Sequence, residues 1–423
     1  MEVKRKKRAG LMKTFKSFLG LIFFAIGCCL FTQNLNFLFA QATAPEIIDN
    51  PETPKYSGKA APELVFKKEL SIPLAGRRYS FDVDEAGDVY LLESLEASIS
   101  VFDKDGKIIS QFGKKGQGPG EFEISAYLSV SPGRKIYVLD RARKAIQIFD
   151  NSGNWQERRQ LLSIGMMSNL KFDSAGCVYI QDMRNLYALG DEKRIKRGVA
   201  GLSRLQKFNN RLEKTMDVEI WDNRFWKRVP EIGYNRVLYH DIFYYQIDAD
   251  NCLYYGDSSR YEIRQLSSDG QLKKIIKKKG SRIPTTKQDL ANLTKDFPEL
   301  KSQDLEMSKT KPFFLDFHVL DKIGLLVGTY ENEWNEQGIL SCDLFDQDGL
   351  YIAKVKVPQY YCSKDQDNFS EQRNRIFKNG RCYSLVYNEK DDALELVRHS
   401  VELKWPQAKT ARSVTDTSGG FPR

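Results

Sequence analysis

Lys135-Ile136-Tyr137-Val138-Leu139-Asp140 is a short run of β-branched, aromatic and aliphatic residues closed by an acid. It is too short for a helix and has the composition of a strand. Reading outward, the pattern recurs upstream as Asp88-Val89-Tyr90-Leu91-Leu92. Downstream it recurs as Cys177-Val178-Tyr179-Ile180-Gln181-Asp182, Cys252-Leu253-Tyr254-Tyr255-Gly256-Asp257, Gly324-Leu325-Leu326-Val327-Gly328 and Arg381-Cys382-Tyr383-Ser384-Leu385, making six copies. A tight-turn sequence precedes most copies, as in Asp84-Glu85-Ala86-Gly87, Ser131-Pro132-Gly133, Asp173-Ser174-Ala175-Gly176 and Asp248-Ala249-Asp250-Asn251. Another apolar run lies before each of these turns, for example Tyr79–Val83 and Phe243–Ile247. Each repeat therefore opens with a β-hairpin.

A second turn marks the far end of the repeat, as Phe102-Asp103-Lys104-Asp105-Gly106, Phe149-Asp150-Asn151-Ser152-Gly153 and Phe345-Asp346-Gln347-Asp348-Gly349. Two hairpins per repeat make a four-stranded antiparallel sheet, and sheets repeated every ~40–50 residues are propeller blades. The expected fold is all-β: a six-bladed β-propeller over residues 64–404. Its N-terminal strand, Leu64–Ile72, has no hairpin partner of its own and is expected to complete the last blade, which removes an exposed sheet edge.

The string Gln111-Phe112-Gly113-Lys114-Lys115-Gly116-Gln117-Gly118-Pro119-Gly120-Glu121-Phe122, followed by Ile136–Asp140 and Ile146–Asp150, resembles the NHL-repeat type of six-bladed propeller. In that family such a string ends one blade and begins the next. The resemblance covers residues 79–150; the later repeats keep the hairpin rhythm without the glycine-rich linker. The chain is also similar to a divergent group of secreted bacterial six-bladed propellers of unassigned role.

Charge is unevenly placed. Of the formal +9, residues 1–40 hold +6, from Lys4, Arg5, Lys6, Lys7, Arg8, Lys13 and Lys16 against Glu2. The remainder is only weakly basic, which argues against nucleic acid as a partner. Residues 1–44 read as a leader: a basic start, an apolar run from Phe18 to Phe31, and small residues at Ala40 and Ala42-Thr43-Ala44 for cleavage. A retained membrane span and lipidation at Cys28 are the other readings of the same segment, and they are the only membrane contact the sequence suggests. The expected location is extracytoplasmic: periplasmic, secreted or anchored to the envelope. Residues 45–63 read as a linker and 405–423 as a disordered polar tail.

Two insertions break the rhythm. Residues 212–240 are rich in aromatics, and residues 281–311 are rich in Lys, Asp and Glu, with a short helix expected around Gln288–Leu293. Both fall between blades and should share one face of the disc. The lysine runs Lys273-Lys274 and Lys277-Lys278-Lys279 around Ile275-Ile276 read as a solvated outer strand.

Catalytic signatures are weak. The Gly116–Gly120 loop lacks the Lys-Ser/Thr ending of a phosphate-binding loop. The acidic turns lack the later bidentate Glu of a calcium loop. His240, His318 and His399 fall at inequivalent repeat positions, so neither a metal centre nor a histidine-dependent hydrolase triad is expected. Cysteine spacing suggests buried thiols at Cys177, Cys252 and Cys382, with an oxidised Cys362–Cys382 pair as the alternative. No catalytic residue, metal ligand or cofactor is assigned. The leading expectation is a non-catalytic binding or scaffold module gripping an envelope protein or glycan through the face that bears the insertions. The residue types are those that anchor interfaces: Trp221, Arg224, Phe225, Trp226, Tyr234 and His240, with Arg78 and Tyr127 at the starts of neighbouring inner strands. The competing expectation is a metal-assisted hydrolase or lyase. It follows from the cation that related propellers hold in the central channel, and Asp241 and Asn169, placed near blade starts, are the candidates for it.

Overall fold

A computed structural model describes residues 44–406 apart from 76–78, 124, 162–165, 186–191, 196–200, 224–225, 230–232, 297–304, 332–338, 359–374 and 389–392. The leader, Arg78, Arg224, Phe225, Cys362 and the tail from 407 lie outside the described residues. From Glu46 onward the chain forms one compact unit.

Six four-stranded antiparallel blades follow one another. Their inner strands are Tyr79–Val83, Ser125–Val130, Met166–Phe172, Phe243–Ile247, Asp316–Leu320 and Arg375–Lys378. The six sequence copies are the second strands, Val89–Glu93, Ile136–Asp140, Val178–Asn185, Leu253–Asp257, Gly324–Gly328 and Arg381–Asn388. These strands read as continuous apolar runs, not alternating ones, because each blade is covered on both faces by its neighbours. Tyr90 and Leu92 pack with blade-2 residues Leu128 and Val138, whereas Val89 and Leu91 pack with blade-6 residues Leu385 and Leu396. Six apolar clusters each straddle one junction between adjacent blades, including the junction of blade 6 with blade 1. The circle is therefore closed by packing as well as by hydrogen bonds.

The closing strand is Glu63–Leu74, which pairs antiparallel with Ala393–Lys404 from Glu63↔Lys404 to Leu74↔Leu394 as the outer strand of blade 6. Closure thus follows the sequence expectation. The reading of residues 45–63 as a plain linker does not capture the structure. Glu46–Asn50 adds a fifth, parallel strand to the outer strand of blade 4, Leu272–Lys278. The lysine-rich strand expected to be a solvated edge is covered by it, with Glu46 opposite Lys274 and Asp49 opposite Lys277. Opposite charges across a strand pair favour that register.

The acidic turns are hairpin caps. Asp103 accepts hydrogen bonds at Oδ1 from the N–H groups of Asp105 and Lys107, and Asp150 and Asp346 do the same two and four residues on. Such Asx turns satisfy backbone donors that the reversal would strand. Gly153 closes one of them at φ 87°, and a side chain there would overlap the Phe112 ring. The glycine-rich string is likewise an inter-blade turn. Glu121 folds back onto the Gly118 N–H at 2.8 Å, Arg143 donates to the carbonyls of Gly116 and Glu121, and Phe122 enters the core between blades 1 and 2.

The two insertions meet. Trp226–Val229 pairs antiparallel with Gly233–Leu238, which pairs in parallel with Leu305–Met307 from the second insertion. The expected helix is Lys287–Asp296, with Asp289 accepting from Thr286 and from buried Lys311 at 2.6 Å. Among the described residues, no helix is long and apolar enough to cross a membrane.

Candidate functional site

Each inner strand begins on the side of the insertions and ends in the first hairpin turn of its blade. At that hairpin end the six inner strands enclose a cavity of about 500 Å³. One position repeats around its wall, two residues before the residue that opens the hairpin turn: Asp82, Ser129, Lys171, Gln246, Val319 and Phe377, one from each blade. Blades 1–4 thus contribute polar groups there and blades 5 and 6 apolar ones.

The polar groups are held in place across blade junctions. Asp82 accepts from Ser129 Oγ at 2.7 Å and from the N–H groups of Val130 and Val83 at 2.9 and 2.8 Å. Lys171 Nζ donates to Gln246 Oε1 at 2.7 Å. On the rim, Asp84 caps its own turn and pairs with Arg134 at 2.8 Å, while Lys378 pairs with Glu85 at 2.8 Å and donates to the Val83 carbonyl. Asp248 accepts from the N–H groups of Asp250 and Cys252; burial pushes its carboxyl up against those bonds.

Three of the most buried wall residues are Asn169, His318 and Arg375, at 2%, 4% and 3% exposure. His318 Nε2 lies 3.2 Å from Asp316 Oδ2, and the Phe377 ring stands 5.1 Å from the imidazole. Burial holds the His318 pKa below its ordinary value, opposed by Asp316 and assisted by the positive charges of Arg375 and Lys171. The imidazole is therefore neutral at neutral pH. Arg375 donates to the Pro358 carbonyl.

The residues singled out from sequence are distributed differently. Trp221 stacks on Phe243 with ring centroids 3.7 Å apart and planes 11° apart, against the core between blades 3 and 4. Tyr127 is 7% exposed within the core of blades 2 and 3. His240 is buried, its Nδ1 3.0 Å from the Val237 carbonyl, and Trp226 and Tyr234 lie on paired strands of the accessory sheet. Asp241 pairs with Arg282, far along the chain from Asn169 in the cavity wall. Among the described residues, no three His, Cys, Asp or Glu side chains are grouped as metal ligands would be. Sequence reading passed over Lys171, His318 and Arg375 as a set. They stand one, two and three residues before their inner strands end, so neither a common repeat position nor a common chemistry marked them.

Residues 82–196 match the family DUF5128, whose description is 6-bladed beta-propeller. The chain is a six-bladed β-propeller, similar over part of its length to NHL-repeat proteins. Over 77 residues it is 30% identical to the human NHL repeat-containing protein 3, an alignment covering 17% of this chain and 22% of that protein. The chain thus spans about a fifth of that relative's length. A member of the duf4221 family from Bacteroides vulgatus superposes with a TM-score of 0.50 at 15% identity, covering 82% of this propeller chain and 100% of the other. A Bacteroides fragilis protein thought to be exported superposes with a TM-score of 0.47 at 15% identity, covering 85% and 99%. At this identity the duf4221 likeness speaks for the fold alone.

Proposed function

We propose that this propeller is an exported, non-catalytic binding module that receives part of a glycan or protein ligand in its axial cavity. The observation that carries this reading is the cavity itself. Its volume of about 500 Å³ lies within the usual range of recognition pockets, and all six inner strands contribute to it. At the repeated position the wall offers hydrogen-bonding groups from four blades and apolar ones from two, the mixture that ligand pockets commonly show. Asp82, Asp84, Asp173 and Asp248 accept from backbone N–H groups, and Asp84 and Asp173 also pair with Arg134 and Lys207, which makes them fixed acceptors. Export rests on the basic and apolar leader.

A plug tests the proposal. Ala86 and Ala249 sit exposed on two rim turns, away from the inter-blade cores. Envelope glycans and proteins purified from the producing cell are screened for binding to the full-length chain by surface plasmon resonance, alongside Ala86→Trp and Ala249→Trp. The expected result is a binder that the plugged variants lose. Binders that persist undiminished in both variants would refute the cavity as the seat. They would favour the accessory sheet, where Trp226→Ala and Tyr234→Ala are the variants to examine next.

A further inference from the structure

We propose that the uncovered outer edge of blade 1, Ile108–Phe112, takes an extended acidic and aliphatic segment of a partner protein as a fifth, parallel strand. This inference stands apart from the axial cavity and goes beyond the binding reading above.

The protein contains the pattern for such a contact. In blade 4 the outer strand Leu272–Lys278 carries a fifth strand, Glu46–Asn50, laid in parallel along Lys274–Lys278. Ile48 of that strand and Ile276 both stand against the Gly349 turn of blade 5. Blade 1 repeats this notch. Counted from the turn glycines Gly106 and Gly270, Phe112 occupies the place of Ile276. The Gly153 turn of blade 2 lies against the Phe112 ring as the Gly349 turn lies against Ile276. Both outer strands shift register at the same point, skipping Ile109 in one and Lys273 in the other, so the irregularity that admits a fifth strand in blade 4 is present in blade 1. Among the described residues, no strand lies beside blade 1 in the place of Glu46–Asn50.

The empty notch shows in the exposure of its apolar residues. Ile108 and Ile109 are each 53% exposed. Trp155, 39% exposed, holds the position in blade 2 that Tyr351 holds in blade 5, where the Tyr351 N–H donates to Asn50 and exposure falls to 2%. A sheet edge with one side of its backbone unpaired and apolar side chains beside it is a template for another strand. Other outer strands are blunted by charge, with Glu157, Arg158 and Arg159 in blade 2 and Lys354 and Lys356 in blade 5. Ile108-Ile109-Ser110-Gln111-Phe112 has neither charge nor proline.

Charge selects the occupant. Lys107 and Lys115, exposed just beyond the two ends of the edge, form no ion pair among the described residues. A second copy docked edge to edge brings the same lysines with it. A segment with acids near its ends complements them, as Glu46 and Asp49 do opposite Lys274 and Lys277.

The probe is the covering strand as an end-blocked peptide of residues 44–51, Ala-Pro-Glu-Ile-Ile-Asp-Asn-Pro, carrying a dye and titrated into the full-length chain by fluorescence anisotropy. Amide exchange with and without peptide locates the contact. The expected result is saturable binding that slows exchange along Ile108–Phe112. Because a strand bonds its neighbour through alternate residues, N-methylating Ile47 and Asp49, or instead Ile48 and Asn50, should weaken binding at least tenfold for one set and spare it for the other. The Lys107→Glu/Lys115→Glu variant should bind the peptide about fivefold more weakly, and a Glu46→Lys/Asp49→Lys peptide should prefer that variant to the parent. Thermal unfolding checks that the variant is folded. No peptide binding would overturn the inference, as would equal effects of the two methylated sets. Slowed exchange confined to Leu272–Lys278 would mean exchange with the resident strand and would also overturn it. A concentration-dependent dimer in sedimentation that Ile109→Lys abolishes, with no peptide bound, would give the edge to a second copy and overturn the partner assignment.

Discussion

Asp343, on the third strand of blade 5, is fully buried and accepts three donors. Tyr261 Oη donates to its Oδ2 at 2.5 Å, Tyr351 Oη to its Oδ1 at 2.6 Å, and Lys278 Nζ to Oδ2 at 2.9 Å. Lys278 also stands 4.9 and 4.8 Å from the centroids of the two tyrosine rings. Burial and the nearby carboxylate push both tyrosine pKa values up, so both remain donors through the physiological range. Tyr261 and Lys278 belong to blade 4, so the network pins blade 4 to blade 5. Asp343→Leu strands two hydroxyls and a cation. Removing one partner of a buried ion pair costs about 3–5 kcal/mol, and each stranded hydroxyl adds about 1–3 kcal/mol before relaxation. A loss of about 4 kcal/mol or more is expected. Tyr261→Phe or Tyr351→Phe removes one bond to a charged acceptor and should cost about 1.5–3 kcal/mol. Because the loss lies mainly in the stranded partners, Lys278→Met added to Asp343→Leu should recover stability instead of lowering it further. The assay is equilibrium urea unfolding followed by tryptophan fluorescence, with circular dichroism as a check that the transition is cooperative. An Asp343→Leu variant within about 1 kcal/mol of the parent, or a further loss in the double variant, would refute the reasoning.

Two other outcomes follow from the same structure. Asn50 ties the added strand to blades 4 and 5 through the Lys277 and Gly349 carbonyls at 3.0 and 2.9 Å and the Tyr351 N–H at 2.7 Å. Asn50→Ala should lower stability by about 2 kcal/mol and speed amide exchange along Leu272–Lys278; unchanged exchange there would show the strand to be dispensable. Burial lowers the pKa of both His318 and His399. The unfolded chain then binds more protons than the folded one, so stability is present above the unfolded histidine value near 6.5 and is lost as pH falls through the depressed folded values. The urea midpoint should drop between pH 7.5 and 5 and flatten in the His318→Asn/His399→Asn variant. Asp182 and Asp248, whose carboxyls burial raises, act with the opposite sign at the acid end of that range.

The blades were legible because their signals are local. A hairpin is specified by a few turn residues and two flanking apolar runs, so six second strands and most of their turns could be read from the chain directly. Circular closure also showed itself, through the unpartnered strand at Glu63–Leu74. The added strand Glu46–Asn50 did not, because its partner lies more than 220 residues away and parallel pairing leaves no turn between them. Aromatic content drew attention to the insertions. The structure brings them together as one sheet, yet it commits Trp221 to a stack on Phe243 that no pattern in residues 212–240 could reveal.

Sequence by itself determined the repeat, the number of blades, the alternation of turns and the uneven charge of the leader, since each depends on neighbours within one repeat. Only the tertiary structure decided what lies at the centre. The cavity takes two to four residues from each inner strand, so its chemistry is assembled across blades. Lys171, His318 and Arg375 are separated by 147 and 57 residues in the chain and meet only when the ring closes. No local pattern marks such a set, because the constraint that unites it is the geometry of six packed sheets around one axis.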